Sequence, residues 1–253
     1  SMFSGCSALK ALDLSSFIKA GDMQINFMFY NCSSLTSLDI SGLKPRMEDC
    51  CFVFAGCTNL AAIDVSNWDT SNCTYANGMR DLFNGCSSLT TLDISNFDMT
   101  NVTNLNGMFS GCSDLISLNL GDFETKSATN MDDLFRGCSS LTSIDLGKIC
   151  TNNVTSFRLM FQGCEKLKSI DVSRFNTSKA QDMSSMFAEC YSLKTINGIE
   201  DFDTSNVTTM WTMFGNCHSL GNLDLSGFDT GKCTTLGGMF VNCSSMTSID
   251  ISS

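Results

Sequence analysis

The stretch Asn101-Val-Thr-Asn-Leu-Asn-Gly-Met-Phe-Ser-Gly-Cys-Ser-Asp-Leu-Ile-Ser-Leu-Asn-Leu120 recurs along the whole chain with small changes. Its most constant feature is a Phe followed three residues later by a Cys. Ten such pairs occur, and successive Phe residues are 26, 25, 29, 26, 26, 26, 26, 27 and 26 positions apart. The anchor Phe residues are Phe3, Phe29, Phe54, Phe83, Phe109, Phe135, Phe161, Phe187, Phe214 and Phe240. A fixed period of this length predicts a stacked solenoid, because each unit buries its apolar face against its neighbours.

The composition excludes several classes of protein. Of the 253 residues 43% are hydrophobic and one is Pro, which does not fit a disordered chain. No apolar run approaches the ~18 residues that span a bilayer, so direct membrane insertion is not expected. The net charge of −11 argues against nucleic acid and anionic membrane surfaces as partners.

Both ends of the chain fall inside the repeat pattern. Ser1-Met2-Phe3 occupies the same positions as Ser185-Met186-Phe187, and the last residues are a strand pattern ending at Ile251-Ser252-Ser253. Solenoids normally end in atypical capping units, and neither end shows one. No targeting signal is present either. We therefore expect residues 1–253 to form a single solenoid segment of about ten coils that belongs to a longer chain.

Each unit predicts a short strand after the Cys. In Leu89-x-x-Leu92-Asp-Ile94, apolar and polar residues alternate around the Asp, which predicts Leu92 and Ile94 inward and Asp93 outward. A second segment carries apolar residues at Val102, Leu105, Met108 and Phe109, which is helical spacing. The sequence therefore predicts an α/β repeat solenoid with one parallel β-sheet face and short helices on the other face.

The repeat pattern resembles that of a known family. The Leu-x-x-Leu-x-Leu core is that of leucine-rich repeats. The longer string Phe-Asp-Thr-Ser-Asn-Val-Thr-x-Met…Met-Phe-x-x-Cys-x-Ser-Leu, intact at Phe202–Leu220, is similar to the BspA-like, lipoprotein-type subclass of about 26 residues, found in surface proteins of bacteria and some protists. The resemblance implies a right-handed superhelix, an extracellular or cell-surface location, and adhesion or host-protein binding without shared catalytic residues.

Ten of the fifteen Cys residues occupy one position per coil and should stack into a column at about the strand separation of ~4.8 Å. We predict that this column is a structural ladder of free thiols, because disulfides would join the coils only in pairs and need special torsions. A metal–thiolate column is not expected, since the chain has one His and no Cys-x-x-Cys in any coil. The ladder is Cys6, Cys32, Cys57, Cys86, Cys112, Cys138, Cys164, Cys190, Cys217 and Cys243.

The other five Cys residues fall elsewhere in the repeat. Cys73 and Cys233 take the position of Val102, and Cys50 takes that of Leu105, so these three are expected in the core. Cys51 and Cys150 are predicted to point outward and are therefore the candidates for reactive thiols.

The outward Asp of the strand recurs in eight coils and is the candidate ligand-binding column. Two interpretations stay open. Neighbouring Ser, Thr and Asn side chains and counterions could offset the repulsion between the carboxylates. Alternatively, the column binds a cation or a basic ligand, with calcium the cation that best suits oxygen ligands. The column is Asp13, Asp39, Asp64, Asp93, Asp145, Asp171, Asp224 and Asp250, with Asn119 and Asn197 in the remaining two coils.

The sequence favours a binding module over an enzyme. One His, no Gly-rich phosphate loop and carboxylates that recur only as equivalent copies give no acid–base pair, no Ser-His-Asp arrangement and no cofactor site. We predict a non-enzymatic surface module that presents an extended face to a protein or polysaccharide partner. The alternative is a structural spacer, or a scaffold that associates end to end.

Overall fold

The strands of successive coils pair in parallel, as the alternation predicts. The computed structural model describes residues 1–17, 19–22 and 24–251, so Ser252 and Ser253 lie outside the described residues. The strands are β1 (Ala11–Asp13), β2 (Lys19–Asp22), β3 (Ser37–Asp39), β4 (Leu43–Arg46), β5 (Thr91–Asp93), β6 (Ser117–Asn119), β7 (Ser169–Asp171), β8 (Thr195–Asn197), β9 (Leu223–Asp224) and β10 (Ile249–Asp250).

The sheet is interrupted instead of continuous. Parallel pairs form between β1 and β3, β2 and β4, β5 and β6, β7 and β8, and β9 and β10. The equivalent residues 62–64 and 143–145 form no strand, so the described strands pair only two at a time. With two to four residues per strand, a small local change is enough to end the pairing.

The predicted short helices are wrong. Within the described ranges the only helical element is a 3-10 turn at Ile199–Asp201. The segment that ends at each anchor Phe instead forms what we call the turn ladder. In it, the amides of Leu105, Gly107, Phe109 and Gly111 donate to carbonyls of the next coil at 2.7–3.1 Å, from Asn130 to Arg136. The amides between them close tight turns within their own coil, as Met108 does to the Leu105 carbonyl at 3.2 Å.

Left-handed residues explain why the helix does not form. From Phe29 onward, each anchor Phe is flanked by two residues with a positive φ, one two positions before it and one two positions after it. For Phe109 these residues are Gly107 (61°) and Gly111 (72°). Non-glycine residues adopt the same conformation, for example Asp133 (56°) and Leu159 (60°). A right-handed helix cannot pass through such positions, and a helix of about two turns is marginal in any case. Hydrogen bonds to the next coil replace the helical ones.

The turn ladder has one direction. At all its positions the amides point toward the following coil and the carbonyls that accept them point back toward the preceding one, from Phe3 to Asn216. Each coil therefore presents a row of donors on one side and a row of acceptors on the other.

The core is a continuous stack of the ten anchor rings. Centroids of consecutive rings lie 5.4–6.0 Å apart and the ring planes are nearly parallel, within 13°. The eight anchors from Phe29 to Phe214 are fully buried. Offset stacking at this distance is favourable for aromatic pairs, so the stack ties the coils together along the whole described solenoid.

The ladder cysteines lie beside this stack and bond to it. Nine of them donate their Sγ–H to the carbonyl oxygen of the anchor Phe in the preceding coil at 3.0–3.3 Å; Cys112, for example, bonds to Phe83. All fifteen cysteines have free thiols in this structure. Each of these nine thiols thus supplies a hydrogen bond between neighbouring coils.

The outward placement of Cys51 is wrong, because this residue is 2% exposed. That prediction assumed helical periodicity, which the turn ladder does not have. Cys150 is half-buried, and its amide donates to the Thr125 hydroxyl at 3.0 Å. Cys50 and Cys73 lie in the core, and Cys233 is half-buried.

Candidate ligand-binding face

The strand face is the surface formed by the exposed residues of each strand. Each of the six three-residue strands has one inward residue between two exposed ones, as in Thr91-Leu92-Asp93. Parallel register places equivalent side chains beside each other, so that Asp13 lies beside Asp39 and Asp93 beside Asn119. All eight Asp residues of the predicted column are exposed. The fold therefore brings them into one line, one per coil.

One oxygen of the Asp side chain is used locally. In seven of the eight, Oδ1 accepts the amide of the residue two positions on, at 2.8–3.0 Å. Asn119 makes the same contact with Gly121 at 3.2 Å. This is the Asx-turn, in which a side chain replaces a backbone acceptor at a bend. It explains why Asp or Asn recurs at this position whether or not a ligand binds.

Hydrogen bonding favours the ionised form of four of these carboxylates. The Ser side chain two residues on, and then its amide, lower the pKa of Asp13, Asp64, Asp93 and Asp171 below the ordinary value. The Asn119 side chain adds to this at Asp93, where its Nδ2 donates to Oδ2 at 3.1 Å. The strand face is therefore negatively charged throughout the neutral range.

Replacing Asp93 by Ala should lower the melting temperature by about 1–3 °C, because the Ser95 amide loses its acceptor. Asp93→Asn should stay close to the wild type, since Asn119 shows that an amide side chain makes the same turn. A lowered folded pKa means that the contribution of Asp93 is present above the unfolded value of 3.8 and is lost as the pH falls below it. Differential scanning fluorimetry at pH 7 and pH 3 measures both effects, and equal losses in both variants would contradict the turn assignment.

A groove crosses the strand face where the sheet is interrupted. It has a volume of about 450 Å³. Its lining residues are Ala62, Ile63, Asp64, Ser66, Thr91, Leu92, Asp93, Ser95, Asn96, Ser117 and Asn119. Carboxylate, hydroxyl and amide groups converge there, which suits a ligand rich in hydroxyl or ammonium groups.

The column does not form a ready-made metal site. Within the part of the chain that the structure describes, no three His, Cys, Asp or Glu side chains are close enough together to hold a metal ion. A cation on the strand face would have to bridge carboxylates of neighbouring coils and complete its shell with water or with groups from a partner.

Sequence reasoning missed a second polar cluster on the turn side. The rings of Tyr191 and His218 stack at 5.2 Å in neighbouring coils. Slight burial and the nearby carboxylates of Glu189 and Glu165 raise the pKa of Tyr191. The signal was available, because the position after the ladder Cys is Ser or Thr in most coils and changes to Glu165, Tyr191 and His218 in three successive ones. Trp211, 52% exposed, adds another aromatic on this side.

Two family models match the chain. The one described as "Mycoplasma protein of unknown function, DUF285" matches residues 48–170, 77–195 and 155–253, which together span 48–253. The one described as "BspA type Leucine rich repeat region (6 copies)" matches residues 1–79. Among curated protein sequences, none matches. No helix in the described ranges is long and apolar enough to cross a bilayer.

Several solved structures are similar at a distance. A leucine rich cell surface protein from Faecalibacterium prausnitzii A2-165 is 16% identical with a TM-score of 0.39, covering 96% of this chain and 79% of that one. A leucine-rich repeat protein from Bacteroides ovatus ATCC 8483 is 16% identical with a TM-score of 0.30, covering 98% and 76%. The T. pallidum Leucine Rich Repeat protein is 15% identical with a TM-score of 0.34, covering 56% and 69%. The likeness is too distant to carry a function across.

Proposed function

We propose that this chain is a non-enzymatic binding module displayed at the cell surface. The chain belongs to the family described as "Mycoplasma protein of unknown function, DUF285" and carries BspA-type leucine-rich repeats. The observation that carries the proposal is the strand face. It is an exposed line of Asp, Ser, Thr and Asn side chains about 45 Å long at strand spacing. A long rigid surface of this kind suits a protein or a polysaccharide better than a small molecule.

The chemistry of the strand face narrows the partner. Eight carboxylates in one line repel acidic ligands and attract basic ones, and they raise the rate of encounter with a positively charged partner. The flanking hydroxyl groups add hydrogen-bond donors and acceptors at the same spacing. We therefore propose a partner that carries basic groups or repeated hydroxyl groups, and no catalytic step in this segment.

The triple variant Asp93→Asn/Asp145→Asn/Asp171→Asn should reduce binding about tenfold, measured with the labelled chain on an array of immobilised extracellular-matrix proteins and polysaccharides. The matched control is Asp98→Asn/Asp203→Asn/Asp229→Asn. These residues make the same turn contacts at 2.8–3.0 Å but lie outside the Asp column. Both triple variants remove three carboxylates, so the net charge changes equally. Asn keeps the acceptor in both variants, so both should fold. Equal binding by the two triple variants would contradict a role for the strand face.

Calcium is a second candidate ligand of the strand face, and the same two triple variants test it. We propose that it bridges carboxylates of neighbouring coils, with the weak affinity typical of extracellular modules, ~10⁻³ M. The melting temperature should then rise in several millimolar calcium chloride. The rise should be smaller in the strand-face triple variant, which leaves Asp13, Asp39 and Asp64 in successive coils, and should be kept in the control. An unchanged melting temperature would remove calcium from the proposal without affecting the protein or polysaccharide partner.

The second candidate function is a spacer or a scaffold that associates end to end. The observation that favours it is the single direction of the turn ladder, because the donors on one side of each coil match the acceptors on the other side. Sedimentation velocity over a range of concentrations separates the two functions. A sedimentation coefficient that rises with protein concentration, together with no binding on the array, would favour the scaffold.

A further inference from the structure

Two cysteines outside the ladder are in contact with each other. The Sγ atoms of Cys50 and Cys73 lie 3.5 Å apart in successive coils, and both residues are fully buried. Nine of the ten ladder thiols, in contrast, point at a backbone carbonyl. Cys50 and Cys73 therefore form the sulfur pair that distinguishes this coil boundary.

Their positions in the repeat explain the contact. Cys50 takes the position of Leu105 and Cys73 that of Val102, and both positions face the core. Where other coils pack two aliphatic side chains, this boundary packs two thiols. Cys50 also lies 3.6 Å from the Gly78 carbonyl, a long contact that leaves its sulfur directed mainly at Cys73.

We infer that Cys50 and Cys73 close a disulfide between neighbouring coils in an oxidising medium and stay a thiol pair in a reducing one. A disulfide has its sulfur atoms ~2.05 Å apart, so the two sulfurs must approach each other by about 1.5 Å. The bond would enclose one full turn of the solenoid. It would also fix the residues before Tyr75-Ala76-Asn77, the insertion that lengthens this coil to a step of 29.

The reaction needs an electron acceptor, for which we name a low-molecular-weight disulfide such as oxidised glutathione. One protein thiolate attacks that disulfide and releases one glutathione thiolate. The second protein thiolate then attacks the mixed disulfide and releases the other glutathione. Two protein thiols lose two protons and two electrons in total, and one glutathione disulfide becomes two thiols.

Burial decides when the exchange takes place. The hydrogen bond with Cys73 and burial raise the pKa of the Cys50 thiol well above its usual range, so Cys50 holds little thiolate in the folded chain. Exchange in the folded chain therefore waits for this coil to open, whereas exchange during folding is unhindered. The experiment accordingly starts from the unfolded, reduced chain.

The full chain is refolded in a mixture of oxidised and reduced glutathione and then alkylated in denaturant without reductant. Mass spectrometry of the intact chain gives the number of modified thiols. Thirteen modified thiols are expected, which is the fifteen cysteines of the chain minus this pair. The oxidised product should melt on the order of 5–10 °C higher than the same sample after reduction. Fifteen modified thiols after refolding would overturn the inference.

Variants identify the partners, because Cys50 and Cys51 are adjacent and peptide mapping does not separate them. Cys50→Leu and Cys73→Val carry residues that other coils have at these positions, so both should fold, show fourteen modified thiols and lose the shift in melting temperature on reduction. Cys51→Ala should keep the cross-link and show twelve modified thiols. A cross-link that survives in Cys50→Leu, or one that includes a ladder cysteine in the wild type, would overturn the assignment.

Discussion

Replacing Phe109 by Ala is expected to lower the free energy of unfolding by about 3–5 kcal/mol. Its ring is fully buried and stacks between Phe83 and Phe135, with centroid distances of 6.0 and 5.5 Å. The hydrogen bonds of the turn ladder hold the coils at a fixed separation on this side, so the neighbouring rings cannot move together to fill the space. A cavity remains, and both the burial of the ring and its two stacking contacts are lost. Urea unfolding followed by circular dichroism measures the effect.

Phe17→Ala is the matched control for this substitution. Phe17 is 46% exposed, and its loss should change the free energy of unfolding by less than about 1 kcal/mol. If Phe109→Ala and Phe17→Ala had similar effects, the anchor stack would not be the main stabilising element of the core.

Raising the pH from 8 to 10 is expected to destabilise the chain by about 5 kcal/mol through the ladder thiols. Burial raises the pKa of Cys57, Cys112, Cys164 and Cys217 from 9.0 to about 12. The unfolded chain therefore releases these protons near pH 9 while the folded chain keeps them. Stability is fully present below pH 9 and falls as the pH rises toward 12, by about 1.4 kcal/mol per thiol at pH 10. Thermal unfolding at a series of pH values measures the slope.

The double variant Cys112→Ala/Cys164→Ala separates the thiols from other groups that ionise at high pH. At pH 7 it should be less stable, because two inter-coil hydrogen bonds are lost. Between pH 9 and 11 its stability should fall less steeply than that of the wild type. Parallel curves would show that lysine or tyrosine ionisation, and not the ladder, causes the alkaline loss.

The orientation of side chains along each coil could be predicted because it follows from local alternation. Asp93 outward and Leu92 inward require only a strand of three residues, and the ten equivalent copies repeat the same evidence. The column of Asp residues on one face follows from the period alone. The line of eight exposed carboxylates could therefore be predicted from the sequence.

The turn ladder could not be predicted because its hydrogen bonds join residues about 26 positions apart. Val102, Leu105 and Met108 have the spacing of an amphipathic helix, and their side chains are indeed buried. Their backbone, however, is decided by the positive φ of Gly107 and by acceptors in the next coil. Burial and helical spacing are therefore not sufficient evidence for a helix in a repeat this short.

The same limit applies to the thiols. The ladder positions were readable from the Phe-x-x-Cys spacing, whereas the contact between Cys50 and Cys73 depends on how two different positions of successive coils face each other. The burial of Cys51 likewise followed from the turn ladder and not from any pattern around it.

The single direction of the turn ladder bears on how such chains change length in evolution. In the turn ladder, each coil offers donors to the unit after it and acceptors to the unit before it, in the same geometry from Phe3 to Asn216. A duplicated unit of about 26 residues can therefore be inserted between any two coils, and a whole unit can be deleted, without leaving a backbone group unmatched at the junction. Changes by part of a unit are absorbed in the turns, as at Tyr75-Ala76-Asn77. The number of coils is thus the property of this architecture that recombination alters most easily, while the geometry of each coil stays the same.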